Sequence, residues 1–293
     1  MTAPAPSPTG ELKLQSAAFW DQNPCGGTWN SYAAFMDFMQ RTEPYIYSIL
    51  DTYDWSGKQV LEVGCGQGST ANYLPQRGAT VIALDMSLES LRQTRAGARE
   101  LGHASRLIPA RADAEHLPFP SESFDAVVSL GVLHHTADTA AAIREVHRLL
   151  KPGGTAIIML YRTGNPKWWM TRAIRGMTRI ADRLRGRQGA VADAVRARRS
   201  LDSSAGTSLL ELFGVPILNA FSNEETRRMC APFERVEISN HQPGFARLVD
   251  LTSWLRPMTG LLRWIDRTTI SMWGFYQVVQ AKKAAVHGGT HGH

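Results

Sequence analysis

The segment Val60-Leu61-Glu62-Val63-Gly64-Cys65-Gly66-Gln67-Gly68 constrains this chain more than any other stretch. A short apolar run enters a glycine-rich turn and leaves it as a helical pattern. Glycine permits positive φ and lets another group approach the backbone with no Cβ in the way. In an open α/β sheet such a turn lies beyond the carboxyl end of a strand, where these sheets bind ligands. Glycine also serves any tight strand-to-helix turn. The segment therefore specifies a βα unit first and a binding loop second.

The pattern recurs downstream. Residues 59–63, 80–84, 106–110, 124–130 and 155–160 are short β-type runs, the fifth entered through the turn Lys151-Pro152-Gly153-Gly154. Residues 69–74, 88–101 and 139–150 between them carry helical patterns. Strands alternating with helices predict a doubly wound, Rossmann-like α/β fold with a mostly parallel sheet and right-handed crossovers. Continuous apolar runs suit strands covered on both faces.

Around that core, at 55–161, the chain divides by composition. Residues 1–10 are rich in Pro, Ala, Ser and Thr and read as a disordered leader without a signal-peptide pattern. Residues 11–54 are aromatic-rich and read as an N-terminal helical cap. After the fifth strand, 162–220 is a helical insertion, amphipathic over 168–187. From Tyr161 to Ala220 there are ten Arg and one Lys against four acidic residues, more positive charge than the whole chain's +6. Residues 221–283 complete the core. They comprise a helix opened by the capping box of Ser222 and Glu225, a sixth strand at 233–239, a second insertion at 240–270 and a last strand at 273–282. Residues 284–293 are a loose tail. Cys25, Cys65 and Cys230 show neither zinc nor disulfide spacing, which fits a cytoplasmic protein and calls for no metal.

Two acids give the glycine loop a ligand. Asp85 ends the second strand, 21 residues beyond Gly64, where a carboxylate can accept from both hydroxyls of a ribose. Asp113, after the third strand in Ala112-Asp113-Ala114-Glu115, can accept from an adenine amine while Ala114 offers its N–H. Acids at the ends of successive strands beside a glycine loop describe a nucleoside pocket. The dinucleotide fingerprint G-x-G-x-x-G has a different spacing from Gly64, Gly66 and Gly68.

In these residues the chain resembles the class I S-adenosylmethionine-dependent methyltransferases, most closely those sharing the type 11 methyltransferase domain. Leu61–Gly68, Asp85, Asp113-Ala114-Glu115-His116-Leu117-Pro118-Phe119, Phe124-Asp125-Ala126-Val127-Val128, Leu133-His134-His135 and Leu149–Gly154 carry the likeness, in order. It implies a seven-stranded sheet with an antiparallel last strand, S-adenosylmethionine as cofactor and S-adenosylhomocysteine as product. It also implies that Gly64, Cys65 and Gly66 line the methionine half and that Glu62 organises the amino-acid end. Asp85 and Met86 would hold ribose and adenine, Asp113 and Ala114 the adenine, and the Leu130 carbonyl the ammonium group. Trp20 and Tyr32 are the N-terminal aromatics that would close the site.

Methyl transfer to a hydroxyl, phenol or protonated amine also needs a base. His134 and His135, after the fourth strand, titrate near neutrality and are candidates, with His135 placed first. Tyr161, past the fifth strand, is the third catalytic candidate. The basic insertion reads as a substrate lid, with Trp168, Trp169, Met170, Ile174, Met177 and Ile180 as an apolar stripe among arginines. The expected acceptor is a small apolar or aromatic metabolite of secondary metabolism. The alternatives are a membrane-surface enzyme acting on a quinone or isoprenoid lipid, and a non-catalytic cofactor-binding interaction protein. Ser129-Leu130-Gly131-Val132, where base-amino methylases carry Asn/Asp-Pro-Pro-Tyr, argues against a nucleic-acid acceptor. Nothing in the sequence sets an oligomeric state.

Overall fold

The computed structural model describes residues 8–23, 29–184, 186, 215–242 and 257–285. Most of the leader, Cys25, the far half of the basic insertion, the middle of the second insertion and most of the tail lie outside the described residues.

Seven strands form one sheet in the order β3-β2-β1-β4-β5-β7-β6. They are β1 Gln59–Val63, β2 Thr80–Asp85, β3 Leu107–Arg111, β4 Phe124–Leu130, β5 Leu150–Tyr161, β6 Arg235–His241 and β7 Tyr276–Lys282. β1 to β5 pair in parallel, and β7 runs antiparallel to both β5 and β6. The chain therefore has the doubly wound α/β fold, with the antiparallel strand wedged beside β5. Order reverses between β1 and β4, and a ligand crevice belongs at that switch point.

Successive strand residues point to opposite faces, and the pairs Val60/Leu61, Val128/Val127 and Ile157/Ile158 divide between two buried clusters. One cluster packs under α2 (Tyr32–Thr42), α3 (Pro44–Leu50), α4 (Ser69–Tyr73) and α5 (Leu88–Glu100), through Met36, Ile46, Leu50, Tyr73 and Leu91. The other packs under α6 (Thr139–Leu149), through Ala142, Ile143, Val146 and Leu149. Burial on both faces explains why these strands read as unbroken apolar runs.

Several boundaries differ from the sequence reading. α1 (Pro8–Gln22) begins inside the stretch assigned to the leader. The last strand starts at Tyr276, because Trp273 closes the final turn of a helix, Thr259–Trp273, within the expected second insertion. The sixth strand starts at Arg235, since the Phe233 N–H donates back to the Cys230 carbonyl in a turn. The helix of the basic insertion is α7 (Pro166–Leu184). α8 (Asn223–Met229) carries the capping box of Ser222 and Glu225, and Thr259–Trp273 is α9.

Candidate active site

The loop after β1 folds over the end of β2. The amides of Gly64 and Cys65 both donate to the Leu84 carbonyl, at 2.7 and 2.8 Å. Gly64 has φ 77°, and a Cβ there would lie 2.3 Å from the Val132 side chain. Only glycine fits, because the loop after β4 presses against it. Gly66 has φ 53° with open space where a Cβ would stand. A bare backbone facing a cavity is the cradle a ligand needs.

Asp85 organises this edge. One carboxylate oxygen accepts from the Gly66 amide at 2.8 Å and the other from the Ser87 amide at 2.9 Å. Enclosure pushes its carboxyl above the usual range, against the pull of those donors. Glu62 lies fully beneath the loop. Burial, and then the charge of Asp85, push it well above the usual carboxylate range. Its Oε2 has no protein hydrogen-bond partner. A buried polar atom without a partner is costly, and a cofactor ammonium or an intervening water fits it.

A cavity of about 270 Å³ opens at the switch point. Ten sequence-predicted site residues line it: Gly64, Cys65, Gly66, Asp85, Met86, Ala114, Leu130, His135, Tyr161 and Trp20. Glu62, Tyr32, Asp113 and His134 do not. Tyr32 stands behind the glycine loop, donating to the Gln67 carbonyl at 2.6 Å and accepting from Asn72 at 2.7 Å. Its ring occupies the space that a Cβ at Gly97 would need. Of the two aromatics expected to close the site, Trp20 is the one on the wall.

Asp113 is held from the N-terminal side. Lys13 of α1 reaches its Oδ2 at 2.7 Å and Glu115 Oε2 at 2.7 Å. Desolvation would raise the Asp113 carboxyl, but Lys13 and the Glu115 amide outweigh it and hold it below the usual range. The other end of α1 is tied by Asp21, which accepts from the Leu88 amide at 2.7 Å, at the start of α5. Between these ties Ser16 and Trp20 face the cavity. Removing one partner of such a pair costs about 1–3 kcal/mol. Lys13→Met should therefore speed amide exchange across α1 by roughly 5–150-fold while β1 keeps its protection. Hydrogen-exchange mass spectrometry reads both, and an unchanged α1 would show that Lys13 does not hold the helix down.

The two histidines differ in kind. His134 is fully buried, its ring centroid 3.8 Å from that of Tyr161 in a stacked arrangement. Neither ring nitrogen has a hydrogen-bond partner, and burial pushes its pKa well below the usual value. His135 lies on the cavity wall with the Trp20 ring edge-on at 5.3 Å. Its Nδ1 is 2.8 Å from the Ile217 carbonyl. A carbonyl only accepts, so Nδ1 carries the proton and Nε2 keeps its lone pair. Burial lowers the His135 pKa to about 4; the Ile217 hydrogen bond opposes this and the Arg175 charge adds to it.

The cavity is also lined by Phe35, Phe38, Met39, Met159, Tyr161 and Tyr276, together with the polar Thr42 and Glu43. Sequence reasoning singled out only Tyr161 among them. The rest, like Lys13, reach the site through contacts far apart in the chain and belong to no motif.

Residues 61–158 match the family model for a methyltransferase domain. That stretch is a methyltransferase domain. The cofactor such a domain implies is S-adenosylmethionine, and the open side of Gly66 and the Asp85 carboxylate suit that molecule's backbone-facing and ribose parts, with Glu62 buried off the cavity wall. Over 121 residues the methyltransferase domain is 39% identical to a ubiquinone biosynthesis O-methyltransferase of Pseudomonas aeruginosa, covering 41% of this chain and 50% of that protein. The chain thus spans about half the length of the curated relatives it matches. Among solved structures, a putative methyltransferase of Haloferax volcanii, complexed with an activator, superposes with a TM-score of 0.57 at 17% identity over 88% of this chain and 99% of that one. A phosphoethanolamine N-methyltransferase of Haemonchus contortus, bound to S-adenosylhomocysteine, gives 0.54 at 17% identity over 92% of this chain and 60% of that one. At such identities these neighbours share the fold.

Proposed function

We propose that this protein transfers the methyl group of S-adenosylmethionine to a small apolar or aromatic acceptor, with His135 as the base. The carrying observation is one cavity joining a glycine-loop nucleoside end to an aromatic end, with His135 on its wall. When bound, the cofactor supplies an electrophilic methyl carbon on a sulfonium. The protein's part is alignment, exclusion of water and removal of a proton. Phe35, Phe38 and Tyr276 give flat surfaces for an aromatic acceptor, and His135 Nε2 can accept the proton of a hydroxyl or phenol. Tyr161, packed against His134, Phe275 and Tyr276, positions the acceptor. Screening phenols, hydroquinones and arylamines with methyl-labelled cofactor, and reading S-adenosylhomocysteine by mass spectrometry, tests this reading. Cofactor binding with no turnover on any of them would favour a non-catalytic cofactor-binding protein.

A second reading, a membrane-surface enzyme acting on a quinone or isoprenoid lipid, has its own support. α7 buries Trp168 but exposes Trp169, Met170, Met177, Ile180 and Leu184 beside Arg172, Arg179 and Arg183. α9 exposes Leu261, Trp264 and Met272. The two helix ends are joined where Arg162 and Asn165 donate to the Met272 and Trp273 carbonyls. Apolar residues flanked by arginines suit an anionic lipid interface. No helix among the described residues is long and apolar enough to cross a membrane. Flotation should recover the protein with vesicles containing phosphatidylglycerol and not with neutral ones, and Trp169→Glu should abolish recovery. Equal recovery with both vesicles would remove the electrostatic part of this reading.

A further inference from the structure

Residues 215–220, the last of the basic insertion, return to the sheet beside His135. Val215 and Ile217 are buried there. The segment is anchored at both ends. Arg175 of α7 donates from Nη2 to the Val215 carbonyl at 2.9 Å, and the Phe221 amide donates to the Tyr161 carbonyl, at the end of β5, at 3.0 Å. Between these anchors the segment grips three consecutive residues. His135 Nδ1 donates to the Ile217 carbonyl at 2.8 Å. The Asn219 amide donates to the His134 carbonyl at 2.9 Å, and its side-chain Nδ2 donates to the Thr136 carbonyl at 3.1 Å. Asn219 thus holds the residue before His135 and the residue after it. The grip meets a local need. Leu133–His135 is a single 3₁₀ turn, closed by the His135 amide on the Val132 carbonyl at 2.8 Å and the Thr136 amide on the Leu133 carbonyl at 3.2 Å. A helical turn cannot satisfy its own last carbonyls, and 3₁₀ hydrogen-bond geometry is poor. The direction of the His135 ring is therefore set by what holds the turn from outside.

We infer that Asn219 is a positioning residue for His135: by tying the turn to the returning segment, it keeps the Ile217 carbonyl on Nδ1 and leaves Nε2 without a proton. The inference rests on the reading of His135 as the base and deepens it, because it gives the end of the basic insertion a part in the chemistry. Asn219 touches no reacting atom in this scheme and acts only through the ring it holds. The tautomer of a neutral histidine is set by the hydrogen bond that one of its nitrogens makes. The tautomer of His135 therefore reports directly on the grip. The Asn219 side chain supplies one of the three bonds, and its amide remains in any side-chain variant. Losing that one bond loosens the register between Ile217 and His135 by about the worth of a single hydrogen bond.

The test is nitrogen NMR of the full chain carrying isotope-labelled histidine, saturated with S-adenosylhomocysteine at pH 8, with His135→Ala used to assign the signal. In the parent, His135 should carry its proton on Nδ1. Asn219→Ala removes the side-chain donor, and Asn219→Asp keeps the shape and loses the donor. Both should move the tautomer ratio toward the Nε2-protonated form by roughly 3–10-fold. Melting curves on both variants are read alongside. A lower melting temperature with an unchanged ratio would show that Asn219 supports only the fold, and would overturn the inference. So would the parent's ratio in Asn219→Asp, which would assign the effect to shape. A parent in which His135 carries its proton on Nε2 overturns it whether or not either variant folds. A shifted ratio with methyl transfer to phenols undiminished would uphold the grip and remove His135 as the base, so the two readings fail separately.

Discussion

Replacing His135 with alanine should lower the methyl-transfer rate by roughly 10²–10⁴-fold while S-adenosylhomocysteine affinity stays within a few-fold. The ring lies on the cavity wall with its Nδ1 proton committed to the Ile217 carbonyl. This leaves Nε2 as the basic atom. Titration near neutrality, expected from the sequence, does not survive burial, which lowers the His135 pKa to about 4. The imidazole is therefore neutral at pH 7 and already competent. Activity should hold as pH falls from 8 to 5 and drop only as the ring gains its proton near 4. His134→Ala is the comparison. With no polar partner and its face on Tyr161, it should lose melting temperature before it loses intrinsic chemistry. Stopped-assay rates, calorimetric affinities and melting curves on both variants separate the roles. A His135→Ala enzyme with full activity across that pH range would remove it as the base.

Asp85→Ala should weaken S-adenosylhomocysteine binding by roughly 1.5–3 kcal/mol, about 10–150-fold in Kd. Two losses combine. The carboxylate can no longer accept from a bound ribose, and the Gly66 and Ser87 amides lose the acceptor that shapes the loop. Asp85→Asn, which keeps one oxygen and loses the charge, should fall between the two. Titration calorimetry with S-adenosylhomocysteine reads all three proteins. An Asp85→Ala protein that binds as tightly as the parent would show that the ribose is not held there.

The loops at the strand ends were legible because their chemistry is local. Gly64 and Gly66 lie in the turn that follows β1 and Asp85 ends β2, and the turn, the positive φ and the carboxylate all act within a few residues. The acceptor end was not legible. Phe35, Met39, Glu43, Met159 and Tyr276 come from α2, the α2–α3 junction, β5 and β7, and none carries a spacing that marks it. Tyr32 shows the limit from the other side. It was a candidate to close the pocket, but its hydroxyl went to the Gln67 carbonyl and Asn72, behind the loop.

The sequence alone determined the α/β alternation, the strand-end loops and the cofactor class, because apolar periodicity and glycine geometry are set by neighbours in the chain. Only the tertiary structure decided which histidine meets the cavity, since His134 and His135 are adjacent in sequence and one is stacked against Tyr161 while the other faces the ligand space. It also decided that α1 is held across the pocket by a Lys13 pair spanning 100 residues. The physical reason is the same in both cases. Burial and charge pairing are properties of the packed assembly, set by surfaces that meet only after the sheet has closed.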